Sequence, residues 1–152
     1  MKRFLLLAAA LGTVVFFARV EPSGQNIGSL QPVQVLVVSA GGDIRLKSDT
    51  GDEGFGDSVA SALEKMRASA SGEVFLDTAD YLLISDAALL AEIEPYLRPS
   101  CRVCLFEGEP DLEKLREYLK HHDPGVSLKD CTAEQVDLPI LRIEEGRMEL
   151  AF

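Results

Sequence analysis

The sequence predicts a single α/β domain: a mixed β-sheet covered by about three helices, in the order ββαβαβαββ. Three observations carry this. Short β-branched runs alternate with stretches of helical period, which is the signature of sheet and helix layers packed on one another. Gly and Pro clusters separate the runs cleanly. The chain has 152 residues, 47% apolar and 26% charged, enough to bury a core without cross-links.

The N-terminus stands apart from that domain. "MKRFLLLAAALGTVVFFAR" sets two cations before an uncharged apolar run from Phe4 to Ala18, the order of an export signal. Lys2 and Arg3 favour a cytoplasmic start with the remainder carried across the membrane. As a helix the run would reach roughly 22 Å, short of the ~30 Å hydrocarbon core. Residues 1–18 are therefore expected to be a signal peptide or a short membrane anchor. Ala18 suits a cleavage site, while Phe16 occupies a place where a small residue is preferred, so both outcomes stay open. Residues 19–32, "RVEPSGQNIGSLQP", are polar, rich in Gly and Pro and aperiodic, and read as a linker. The α/β domain spans 33–152.

Its elements follow in order. "VQVLVVS" is apolar and β-branched, and Ile44 and Leu46 alternate with charged neighbours. Gly41-Gly42 between them supplies a tight reversal, which predicts a hairpin. "DTGDEGFG" follows as a mobile acidic loop. Val59, Ala62, Leu63, Met66 and Ala70 share one helical face, with Asp57 as the expected cap and Gly72 as the stop. "DYLLIS" is a short buried strand. Asp86 opens a second helix carrying Leu90, Ile93 and Leu97, which Pro95 kinks or restarts. "CRVCLF" is the next strand. A third helix begins near Pro110, carries Leu112, Leu115, Leu119 and His122, and is stopped by Asp123-Pro124-Gly125. "TAEQ" has capping-box spacing but lies too near Pro139 to start more than one turn. "PILRIEEGRMELAF" closes as a hairpin turning at Glu145-Gly146.

Charge narrows the function classes. All 25 acidic residues lie beyond residue 20 and only twelve of the 15 basic ones do, so the body carries −13. A surface of that sign repels phosphate backbones and makes nucleic acid an unsuitable partner.

No reaction centre emerges from the motifs. Asp77 in "VFLDTAD" resembles an aspartic-protease carboxylate, but Ala79 stands where the tight loop of that active site needs Gly. "SDTG" at 48–51 has the Gly without the supporting apolar strand. Asp77, Thr78 and Asp80 are expected to end one element and start another through local hydrogen bonds. Cys101 and Cys104 form a Cys-x-x-Cys, but the helix that would lower a thiol pKa begins too late. On a strand those two positions also face opposite ways. Buried thiols or one structural disulfide, with Cys131 able to join either partner, fit better than redox chemistry. Cys101, Cys104, His122 and Cys131 have zinc-ligand chemistry but only one recognised spacing, so no metal and no cofactor is expected. His121 and His122 suit a helix C-terminus. The acidic loop lacks the spaced ligands of a Ca²⁺ site.

From Asp57 onward the layout resembles the first domain of the Ger(x)C family, the C subunits of spore germinant receptors. The likeness rests on "GDSVASALEKM", "DYLLISDAALL", "IEPYLRP" and "VCLFEGEPDLEKLREYL", and extends diffusely over residues 33–150. The family's lipid-bearing cysteine has no counterpart near residue 18, and Arg98 lacks an acidic neighbour in sequence. The resemblance implies a non-enzymatic extracytoplasmic subunit whose partners are membrane receptor or other envelope proteins, acting in spore germination. It supplies no catalytic positions. The alternative is a small extracytoplasmic thiol-redox protein using Cys101 and Cys104.

Overall fold

The computed structural model describes residues 30–133, 136–144 and 146–152. The expected export segment at 1–18 lies outside them. Among the described residues nine strands and four α-helices follow in the order β1 (Leu30–Pro32), β2 (Val35–Ala40), β3 (Ile44–Ser48), β4 (Glu53–Gly56), α1 (Val59–Ser69), β5 (Glu73–Phe75), β6 (Tyr81–Ile84), α2 (Leu90–Ile93), β7 (Arg102–Glu107), α3 (Leu112–His121), α4 (Leu128–Ala133), β8 (Ile140–Glu144) and β9 (Arg147–Ala151). This is an α/β fold. Its main sheet has seven strands in the order β4-β3-β2-β6-β7-β8-β9. The central four, β2, β6, β7 and β8, are parallel, and β3, β4 and β9 are antiparallel to their neighbours.

Two apolar cores follow from the period-2 alternation of the central strands. Leu36, Val38, Leu82, Ile84 and Val103 point to one face, where they meet Val59, Ala62, Leu63 and Met66 of α1 together with Ile93 and Leu128. Val35, Val37, Leu83, Cys104, Phe106 and Leu141 point to the other and meet Leu115 and Leu119 of α3. Each fully buried aliphatic side chain contributes about 1.5–3 kcal/mol of transfer free energy. The continuous apolar runs of β2 and β6 thus reflect burial on both sides, as parallel strands require.

Three local expectations are revised. The acidic stretch 49–56 is a turn only at its start, where Ser48 Oγ, Thr50 Oγ1 and Asp52 Oδ2 form a chain of 2.6 Å hydrogen bonds. Glu53–Gly56 then forms β4, paired with β3. Its glycines are there for contact: a Cβ on Gly54 would lie 2.0 Å from the Ala62 carbonyl oxygen, and one on Gly56 2.5 Å from the Ala62 nitrogen. A Gly-rich segment that looks like a loop is a strand because α1 lies directly on its backbone. Ser58, not Asp57, caps α1, accepting from the Ser61 N–H at 3.2 Å. Glu92 reaches from α2 to accept the Val59 N–H at 3.3 Å. The helix ends at Ser69 with Ala70 as its C-cap, so Gly72 lies beyond the stop.

Other departures concern short elements. Leu30–Pro32, the end of the expected linker, forms β1 and pairs in parallel with β5 as a separate two-stranded ribbon. The helix expected to begin near Pro110 starts at Leu112, capped by Asp111, which accepts from the Lys114 N–H. The six-residue α4 begins at Leu128 and takes in Thr132 and Ala133, so the start of "TAEQ" lies within a helix and does not open one. Pro95 does restart the chain, as the 3-10 turn Glu94–Tyr96 after α2. The closing hairpin pairs Ile140 with Ala151 through Glu144 with Arg147.

Candidate functional site

The residues singled out by chemistry do not converge. Cys101 belongs to one core and Cys104 to the other, so the strand alternation separates them across the sheet. All three cysteines are free. Burial pushes both the Cys101 and Cys104 thiols up to about 12. Cys131 is half-buried and also raised, by burial first and the nearby Asp130 second. These are environments that suppress the thiolate. His122 is exposed at the end of α3, stacked on Tyr118 with ring centroids 4.1 Å apart. Among the described residues no group of His, Cys, Asp and Glu has a geometry that could hold a metal ion.

Of Asp77, Thr78 and Asp80, expected to join two elements through local hydrogen bonds, Thr78 makes such a bond and Asp80 binds a distant partner instead. Asp77 is exposed in the 3-10 turn Leu76–Thr78, and Thr78 Oγ1 donates to the carbonyls of Val33 at 3.0 Å and Phe75 at 2.9 Å. Asp80 pairs with Arg98, whose Nε also donates to the Ala79 carbonyl at 3.1 Å. The acidic neighbour that Arg98 lacks in sequence is thus supplied in space, eighteen positions away. Arg102 similarly joins Asp123 at 3.4 Å and the Gly125 carbonyl at 3.2 Å. Tyr81 lies beside this group, its phenol raised by burial and then by Asp123 and Asp80. The cations and carboxylates here satisfy one another, and they tie the loops before β6 and β7 to the sheet.

A buried anchor lies below β2. The Asp49 side chain is 4% exposed, and its Oδ1 accepts from the Gln34 and Val35 N–H groups at 3.0 and 3.2 Å. Its Oδ2 faces Arg116 of α3 at 3.7 Å. One carboxylate thereby holds the start of β2, the end of β3 and a helix on the opposite layer.

A surface groove of about 440 Å³ lies beside β5, lined by Arg67, Gly72, Glu73, Val74, Phe75, Leu76, Asp77 and Tyr96. Strand alternation builds it: Val74 and Leu76 turn inward and are buried, leaving the Phe75 ring 37% exposed between them. Half-buried Tyr96 forms an aromatic wall, and Arg67, Glu73 and Asp77 place both charge signs on the rim. Exposed Phe75 and the charged rim give the groove a mixed apolar and polar lining, as contact surfaces have. Of these residues the sequence drew attention to Asp77 and Gly72 alone, and for other reasons. The available signal was a Phe with apolar neighbours on both sides in a run too short to bury all three.

The chain matches no protein-family model, and no curated protein or solved structure is detectably similar to it.

Proposed function

We propose that this chain is a non-enzymatic interaction module that works outside the cytoplasm, delivered there and optionally held at the membrane by its N-terminal segment. The observation that carries the reading is the order Lys2-Arg3 followed by the uncharged run Phe4–Ala18, joined to an acidic α/β body. The groove at Phe75 supports it as a place where another protein can dock. Within this reading the partners are membrane receptor or envelope proteins, and the resemblance to germinant-receptor C subunits directs attention to spore germination. The thiol-redox alternative draws no support from thiols that burial holds at about 12.

Two measurements test the proposal. Alkaline phosphatase fused after Phe152 should be active in the native host and inactive once residues 2–18 are deleted. A photocrosslinking amino acid at position 75 should then capture a membrane protein from intact cells. Full-length chain found only in the cytosol would refute the first part. A chain exported normally but captured on nothing, at position 75 or across the rest of the groove, would refute the second.

A further inference from the structure

We propose that β9 is a self-pairing edge, through which two copies of this chain join their main sheets antiparallel about a two-fold axis. β9 is the last strand of the sheet, and among the described residues only β8 pairs with it. Its exposed face carries Arg147 and Glu149; its other face carries half-buried Met148 and Leu150, which extend the core beneath α3. At the opposite edge β4 is only four residues long, and its Glu53 carbonyl accepts from Ser69.

The charge order of β9 fits a register centred on Met148. With Met148 opposite Met148 of the second copy, Arg147 falls opposite Glu149 and Glu149 opposite Arg147, and each face stays continuous across the junction. A shift of one residue sets charged side chains against the apolar pair, because side-chain direction alternates strictly. Centring on Glu149 or on Arg147 instead places like charges directly opposite, which is destabilising. Inside each copy the same face already alternates in sign, with Arg142 opposite Glu149 and Glu144 opposite Arg147. The proposed junction continues that alternation through two more complementary pairs. The occupant of the edge is therefore a second copy of this chain, because its own sequence read backwards supplies the complement.

The test uses the full chain in detergent, with sedimentation and native mass spectrometry. Wild type forms a dimer; Arg147→Glu and Glu149→Arg each weaken it roughly thirtyfold, since two cross-strand pairs turn from attraction to repulsion. An equimolar mixture of the two variants recovers the dimer. One variant is acidic at both 147 and 149 and the other is basic at both, so every pair across the mixed junction is again opposite in sign. Independently, Met148→Cys in an otherwise unchanged chain forms a disulfide-linked dimer on mild oxidation, and Arg142→Cys on β8 does not. A wild-type chain that stays monomeric as concentration rises overturns the proposal. So does a mixture of natively folded variants that fails to associate, or crosslinking equal at positions 142 and 148.

Discussion

Replacing Gly54 with Ala puts the seating of α1 on β4 to a direct test. The added Cβ would lie 2.0 Å from the Ala62 carbonyl oxygen, 2.7 Å from the Met66 Cβ and 2.8 Å from the Met66 nitrogen, whereas ordinary contact begins at 3.4 Å. Two of those three atoms are backbone and cannot rotate away. Strand and helix would have to separate locally by about 1.4 Å, the difference between contact and clash. That gap opens beneath Val59, Ala62, Leu63 and Met66, all at most 1% exposed. A radial gap of about 0.5–1 Å already forfeits a quarter to a half of each dispersion well. Overpacking usually costs about 1–3 kcal/mol, and a rigid backbone collision belongs at the upper end, near 3 kcal/mol. Against a total of about 5–15 kcal/mol this is a large loss. Urea denaturation should show a lower midpoint with an unchanged slope. Gly41→Ala is the control: nothing lies within 4 Å of its added Cβ, so stability should stay within about 0.5 kcal/mol of wild type. A Gly54→Ala protein as stable as that control would refute the close helix–strand contact.

Three further outcomes are expected. Asp49→Ala should destabilise by about 2–4 kcal/mol, because it strands the Gln34 and Val35 N–H groups and leaves Arg116 with Glu117 alone, while Asp49→Asn keeps an acceptor and costs less; equal losses in urea melts would contradict this. Iodoacetamide at pH 8 should label Cys131 first and leave Cys101 and Cys104 unmodified until urea unfolds the domain, since a thiol at about 12 is ionised to only about one part in 10⁴ there. Fast labelling of Cys101 in the native protein, read by mass spectrometry, would disprove its burial. The Arg45 hydrogen bond, aided by Lys47, holds the Glu53 carboxyl below its ordinary 4.5 despite partial burial. Its stabilisation is therefore present above that pH and is lost as pH falls through the lowered folded value. Glu53→Gln should cost under about 1 kcal/mol at pH 7 and nothing at low pH, which pH-dependent thermal melts would check.

What the sequence made legible was whatever depends on local period. The β-branched run at Val35–Val38 and the stripe from Val59 to Met66 each match one repeat, and both became core. The split of Cys101 from Cys104 also followed from alternation alone. What stayed hidden depended on distant partners. Nothing local marks "EGFG" as a strand, because its pairing with β3 and the helix pressed on its glycines arise only in the folded chain. β1 and β5, three residues each, exist by virtue of each other. The Asp80–Arg98 pair joins residues whose chain separation gives no hint of contact. For the groove at Phe75 the local run gave a hint of one exposed ring but not of its walls, since Tyr96 and Arg67 come to it from other elements.

The small ribbon of β1 and β5 has a mechanical consequence. A pull on the N-terminal side enters the body through Leu30, which is laddered to Glu73, followed by Gln31 on Val74 and Pro32 on Phe75. Only after these three rungs does the load reach Val33, which is fully buried. The ribbon therefore acts as a strain relief, like the grip on a cable where it enters a plug: tugging on the lead is spent on β1 before it can disturb the main sheet.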